Sequence, residues 1–412
     1  MKRFITISIF ATLFISSYVF FKVPFEGYLS YVVMLFLFPF FIVRFGIPKI
    51  PVMLFLPLLI TGIIYVESGD NTYALFFKIF IGFFSSVLFY NYVFRQYDFN
   101  IKELFGYYMI GALIVSAIGL VQLVSFRVGF TPGYDYSFIL NKWGLSYGGL
   151  GIRINSIFSE PSYFAAVIGP AFFICVSNLF RKDKLFLTKK QGFVVIVAYL
   201  LSFSSLGIIG IFMTVLLLLL NFGFFRYAIV FVPTFYFGFN YAYDNIPEFR
   251  DRFDGTFDIF SAQGANTDVH GSSFVLYNNY QIAVKNFEKN PLFGTGLGSH
   301  PIAFDRYSLT LQTGVLQIDF NKADANSMFL RLLSETGLYG TIFIIFYLIR
   351  FYLGRKRSVD DELWVISNAT LLIILLFLFR QGHYFLNGFP FFLWLYYYVH
   401  KENDNRLAAS EA

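Results

Sequence analysis

The chain has 412 residues, 57% of them hydrophobic and only 14% charged, with a mean hydropathy of +0.64. Soluble domains carry about 25% charged residues, so this composition excludes a string of soluble domains and indicates one integral membrane domain. The net charge of +6 does not point to nucleic acid. The excess basic residues fall in short connections between apolar runs, where they set orientation and do not form a phosphate-binding patch.

Apolar runs fall near 4–21, 28–45, 50–66, 73–94, 105–126, 161–180, 191–205, 206–222, 226–243, 327–350, 363–379 and 384–399. They predict about twelve transmembrane helices. Residues 4–21 are not followed by a small-residue cleavage site, and another span comes directly after, so they read as a retained first helix. SFSSLG (202–207) divides what would otherwise be one helix too long for a bilayer, and two short spans joined by the polar SFSS turn fit better. Tyrosines gather near span ends, as an interfacial belt would place them. The single cysteine, Cys175, lies in an apolar run and has no partner for an intrachain disulfide.

With Lys2 and Arg3 in the cytoplasm, alternation brings most basic connections to the same side. These hold Arg44 and Lys49, Arg95 and Lys102, Arg181 to Lys190, Arg226, Arg350 to Arg357, and Lys401 with Arg406. The other side receives 127–160, a short segment around RQGHY (380–384), and the long polar stretch 243–326. The chain thus divides into an N-terminal membrane region 1–242 with about nine spans, a large outer loop 243–326, a C-terminal membrane region 327–399 with about three spans, and a cytoplasmic tail 400–412. Within the loop, SSFVLYNNYQIAVKNFEKN (272–290) has apolar residues at helical spacing and a proline stop at Pro291.

The sequence holds no HExxH, CxxC or DxD motif, so neither a metal nor a cofactor is expected. GTGLGSH (294–300) lacks the strand context and the Lys-Ser/Thr of a nucleotide loop, and reads as a flexible turn between two loop helices. Four places put charge at a membrane end on the outer side. Arg153 and Glu160 flank INSIFS just before Pro161, whose ring suits the first turn of a helix. Glu160 is then either a carboxylate favoured by the helix dipole or a base at a cavity mouth. Arg331 and Glu335, four apart inside an apolar run, are either an internal ion pair or cavity-facing charges. Arg380 and His383 stand together in FLFRQGHYFLN, and the arginine there could equally snorkel to the interface. The loop adds His270, His300, Arg250, Arg252 and Arg306, of which His300 follows the glycine turn. Arginines beside carboxylates at headgroup depth suit a lipid-linked, anionic, sugar-bearing substrate.

The same residues carry a resemblance. R-x-x-S-x-F-x-EPSYFA (Arg153 to Ala165), NPLFGTGLGSH (290–300), ANSMFLRLLSETGLYG (325–340) and RQGHYF (380–385) resemble the Wzy-type polysaccharide polymerases of the O-antigen polymerase and ligase superfamily. The resemblance implies an all-α polytopic membrane protein with a large periplasmic loop, and an inverting, metal-independent glycosyltransferase of the GT-C type in the bacterial inner membrane. Its partners would be undecaprenyl-diphosphate-linked glycans, the lipid bilayer and a chain-length regulator protein, with no nucleic acid. Arg153, Arg331, Glu335, Arg380, His383 and Asn326 would hold substrate, and Glu160, His300 or Asp324 would act as base. Ligase-like members carry a histidine just before the Asn-Ser pair. Here that place is Ala325, which favours the polymerase over the ligase. A membrane transporter is the rival from another class, but no internal repeat of the transporter kind is visible.

Overall fold

A computed structural model describes residues 2–21, 26–148, 151–181, 183–245, 250, 254, 271–310 and 321–411. Their regular structure is helical, with only two isolated β-bridges, Val19 with Tyr28 and Tyr147 with Ile152. The helices are α1 (Lys2–Phe14), α2 (Leu29–Phe45), α3 (Lys49–Glu67), α4 (Tyr73–Gln96), α5 (Ile101–Arg127), the single turn α6 (Thr131–Tyr134), α7 (Pro161–Leu179) and α8 (Lys189–Leu200). They continue as α9 (Ser205–Phe222), α10 (Phe224–Asn245), α11 (Gly271–Lys289), α12 (His300–Tyr307), α13 (Met328–Arg350), α14 (Asp361–Arg380) and α15 (Phe389–Glu411). Short 3-10 turns lie at Arg355–Arg357 and Leu386–Gly388.

Each apolar run of the sequence meets a helix, and among the described residues six of these, α4, α5, α7, α9, α13 and α14, are long and apolar enough to cross a membrane. The break at SFSS is present, separating α8 from α9. Three boundaries differ from the sequence reading. The first run is helical only to Phe14, and residues beyond it turn back, with Asn141 bridging the Val19 backbone through its N–H (2.9 Å) and carbonyl (2.6 Å). The last run becomes helical only at Phe389, because Asn387 (φ 51°) and Gly388 (φ 71°) lie in the left-handed region. That helix then continues through the residues read as a tail.

α14 and α7 form the centre. Their apolar windows are 83% and 78% buried, against 33–44% for the other four long apolar helices. α14 packs on α7, α9, α13 and α15, and α7 on α8 and α9. Apolar side chains such as Leu35, Phe36, Met53, Ile64, Ile342 and Ile349 are exposed around the bundle, as expected for a membrane-embedded surface. α7 carries Pro170 in its interior, which removes a helix donor. Tyr108 from α5 bridges the next rung of the ladder: its hydroxyl donates to the Val167 carbonyl (2.7 Å) and accepts from the Ala171 N–H (3.2 Å).

The two ends of the bundle differ. One gathers the basic connections, several of them ion-paired: Lys102 with Asp360 and Glu362, Arg181 with Asp361, and Arg406 with Asp360 and Glu402. The other gathers the irregular segments. There Gln122 of α5 anchors the 127–160 segment, accepting from the Asn155 and Ser156 N–H groups (3.3 and 2.9 Å) and donating to Asn155 Oδ1 (2.9 Å).

Candidate functional site

The chain enters α13 at Ser327. Its hydroxyl accepts from the Leu330 N–H (3.3 Å) and donates to the Leu378 carbonyl (2.8 Å), tying this helix start to the end of α14. One turn further, Arg331 and Glu335 share a face and are 2% and 0% exposed. They form the internal ion pair that their spacing allows. Arg331 Nε donates to Glu335 Oε1 (2.9 Å) and Nη1 donates to the Gly382 carbonyl (2.7 Å). The guanidinium lies 4.5 Å from the centroid of the Tyr384 ring, and the Tyr384 hydroxyl donates to Glu335 Oε2 (2.9 Å). A buried pair holds only when its remaining polar atoms are satisfied, and the 380–388 segment supplies those partners. Arg331 Nη2 has no hydrogen-bond partner among the described residues.

Gly382 leaves no room for a side chain, since a Cβ there would sit 1.6 Å from the Asp324 carbonyl oxygen. This contact sets Asp324 against His383, with His383 Nε2 3.0 Å from Asp324 Oδ2. Asp324 Oδ1 accepts from the Asn326 N–H (3.0 Å), in a turn where Ala325 and Asn326 both have positive φ. Burial pushes the Asp324 carboxyl up. His383, the Asn326 N–H and the Arg331 charge outweigh it and hold the group well below the ordinary carboxylate range. His383 stays a quarter exposed, and its ring lies 6.3 Å from that of Tyr163 in the first turn of α7. Tyr163 lies within electrostatic range of Asp324, Glu160, Tyr28 and Glu26. Glu160 is the N-cap of α7, with Pro161 following as the sequence predicts. It is exposed and accepts from the Ser162 hydroxyl (3.0 Å). Glu26 is bonded by Lys142 (2.5 Å) and by the Tyr28 hydroxyl. Burial raises the Glu26 carboxyl, but Lys142, Tyr28 and the nearby His383 bring it below its usual range.

The glycine segment does turn between two loop helices, α11 and α12, and it is packed against the rest of the chain. Residues 294–300 are buried and docked on a break in α13 at Gly337 (φ 59°, ψ −146°). The break frees backbone groups, and the segment takes them: Thr295 and Gly296 donate to the Ser334 and Glu335 carbonyls (3.3 and 2.8 Å), while Leu338 and Tyr339 donate to the Pro291 and Leu292 carbonyls (2.8 and 3.0 Å). A Cβ on Gly294 or Gly337 would lie 2.4 or 2.6 Å from the opposite backbone. Asn286 of α11 closes the joint on Thr295 and Ser334. The segment ends at His300, which is fully buried. Its N–H donates to Glu335 Oε1 (3.4 Å), and its Nε2 meets Asn279 Oδ1 (2.9 Å). Burial and the Arg331 charge push the imidazole down to about 3 against the opposing pull of Asp324, so it is neutral.

The remaining candidates lie around this centre. Arg153 is held against the α8–α9 turn, its Nε 3.5 Å from the Ser202 carbonyl, and Arg380 closes α14. Arg306 binds Asp70 (2.5 Å) and the Gly69 carbonyl (3.0 Å). Lys289 binds Asp70 as well (3.0 Å), which clamps α11 and α12 onto the α3–α4 turn. Arg250 is exposed, and His270 and Arg252 lie outside the described residues. Next to the cluster an apolar groove of about 740 Å³ runs between α3, α4, α13 and α15, with Tyr384, Leu297 and Met328 at its near end and Lys49, Arg95 and Lys401 at its far end.

Sequence reasoning missed Tyr384, Gly382, Glu26, Lys142 and Tyr163. Tyr384 and Gly382 flank His383, so weighing the whole RQGHYF motif would have found them. Glu26 is the one carboxylate between the first two apolar runs, a usable signal. Nothing local marks Lys142. No protein-family model matches the chain, and no curated protein matches it.

Proposed function

We propose that the protein is a membrane glycosyltransferase that polymerises undecaprenyl-diphosphate-linked repeat units into O-antigen, capsule or exopolysaccharide. The proposal includes about twelve spans, residues 243–326 as a periplasmic loop, and an active centre on the periplasmic face of the inner membrane. The observation that carries it is the Arg331 guanidinium. It is fixed by Glu335, Gly382 and Tyr384, keeps Nη2 unpartnered among the described residues, stands beside the Asp324–His383 pair, and is one side chain away from an apolar groove. A preorganised cation is costly to bury and suits a charge that develops in a transition state.

In this reading Arg331 takes the diphosphate, with Arg153 and Arg380 contributing charge at the same end, and the lipid tail follows the near part of the groove. His383, oriented by Asp324, accepts the proton of the acceptor hydroxyl. That oxygen attacks the anomeric carbon opposite the diphosphate, the bond to the diphosphate breaks with its electron pair, and configuration inverts. Proton acceptance of this kind contributes about 10²–10⁴-fold. Asn326 and Glu335 position the cluster, and Glu160 stands at its rim. Ala325 in the place of the ligase histidine supports a polymerase.

The test is a clean deletion complemented with variants, read by gel separation of lipopolysaccharide and by extraction of surface polysaccharide. Arg331→Ala removes one partner of a buried pair, at a typical cost of about 3–5 kcal/mol. Arg331→Lys, Arg153→Ala, Arg380→Ala and His383→Ala therefore accompany it, with membrane protein quantified by immunoblot. Single repeat units on the acceptor without long polymer are expected. Normal polymer from Arg153→Ala, Arg331→Ala and Arg380→Ala alike overturns the assignment. Long lipid-linked chains with a bare acceptor would make the protein a ligase.

A further inference from the structure

The far end of the apolar groove has no role in the reading above, and three cations line it. At this end of the bundle, Lys102, Arg181 and Arg406 each have a carboxylate within 4 Å. Lys49, Arg95 and Lys401 have none among the described residues, nor do Arg44, Lys189 and Lys190, but Lys49, Arg95 and Lys401 are the ones that line the groove together. Arg95 makes only a long contact from Nη1 to the Phe45 carbonyl (3.4 Å). The walls leading away from them are apolar or aromatic: Leu54, Leu58, Phe343, Phe346, Leu393 and Trp394. Trp394 is anchored by its indole N–H on the Val87 carbonyl inside α4 (2.8 Å), which fixes the ring in the groove wall.

Three cations without carboxylates at the mouth of an apolar channel match one kind of occupant, a molecule with an anionic head and a hydrocarbon tail. We infer that this end of the groove binds an anionic phospholipid, its phosphate among Lys49, Arg95 and Lys401 and an acyl chain between α13 and α15. Arg95 supplies the planar fork that pairs with phosphate oxygens, and the two lysines supply mobile point charges. Basic residues at a membrane surface draw anionic lipid in this way. The assignment does not rest on the glycosyltransferase reading, because none of these residues belongs to that centre.

The experiment uses the full chain in neutral detergent and phospholipids with brominated acyl chains, which quench tryptophan on contact. Phosphatidylglycerol and phosphatidylcholine with identical chains are compared, and Trp394→Phe removes the signal of the ring in the groove. Half-quenching by phosphatidylglycerol at clearly lower concentration is expected, with each lost cation reducing the preference about fivefold. Lys49 and Lys401 are exposed, so Lys49→Gln/Lys401→Gln leaves the packing intact, and adding Arg95→Gln should equalise the two lipids. Lys189→Gln/Lys190→Gln, which removes two exposed charges from the start of α8, should change nothing. Equal quenching of the unaltered protein by both lipids overturns the inference. So does a preference that survives the triple substitution, or quenching that survives Trp394→Phe.

Discussion

His300 is the clearest case of one side chain whose chemistry is set by its surroundings. Burial and the nearby Arg331 hold it at about 3, whereas an unfolded chain titrates at about 6.5. As pH falls below that value the unfolded chain binds a proton that the folded chain refuses. Stability is therefore fully present above about 6.5 and is lost as pH falls toward the folded value, with a limiting slope of about 1.4 kcal/mol per pH unit. The depressed carboxyls of Asp324, Glu26 and Asp70 add their own loss only at lower pH. His400, also lowered by burial, is common to both proteins in a comparison with His300→Gln. Thermal unfolding in detergent between pH 6.5 and 4.5 should show the variant flatter than the parent, and parallel profiles would mean that His300 is protonated in the fold. The position of His300 after a glycine turn was legible in the sequence, but its burial was not. Likewise the spacing of Arg331 and Glu335 shows a possible pair. The groups that complete it, Gly382 and Tyr384, lie 51 and 49 residues from their partners, and no local pattern reports such a distance.

Among the elements, α7 shows how the chain tolerates a proline inside a helix. The Tyr108 hydroxyl bridges the rung next to Pro170, serving the Val167 carbonyl and the Ala171 N–H in a buried, apolar setting. Without water to replace it, the loss of that hydroxyl leaves both backbone groups poorly paired. Tyr108→Phe keeps the ring and should lower stability by about 1–3 kcal/mol, measured by thermal unfolding of the purified protein. A change below about 0.5 kcal/mol would show that α7 closes its own ladder. Pro161 at the start of α7 was legible, because the residue type alone dictates that position. The turn at GTGLGSH was legible too, but its docking was not, for the opposite reason. Its glycines do adopt positive φ at 294, 296 and 298, as a turn would, but what orders them is the backbone freed at Gly337, some forty residues later in the chain. That docking gives a physical reason for the glycine motif and the Asn-Ser motif to occur together.

For the whole molecule, orientation is the property that the sequence states most directly, since it depends on counting basic residues and not on contacts. The fold brings those residues to one end and the site cluster to the other, so the prediction concerns which end faces the cytoplasm. Excess lysine and arginine in short connections are retained there. The single cysteine makes this testable, because Cys175 is buried and Cys175→Ala gives a background without thiols. Lys356→Cys then places a thiol on the exposed turn between α13 and α14, and Asp305→Cys places one on the exposed face of α12 at the opposite end. In cells whose membrane holding the protein is intact, a membrane-impermeant maleimide added outside should label the residue 305 variant. It should reach the residue 356 variant only after that membrane is opened. The reverse pattern would turn the molecule over and put the Asp324–His383 pair in the cytoplasm, against the proposed function. Labelling of both in intact cells would mean that the two ends do not lie on opposite faces of the membrane.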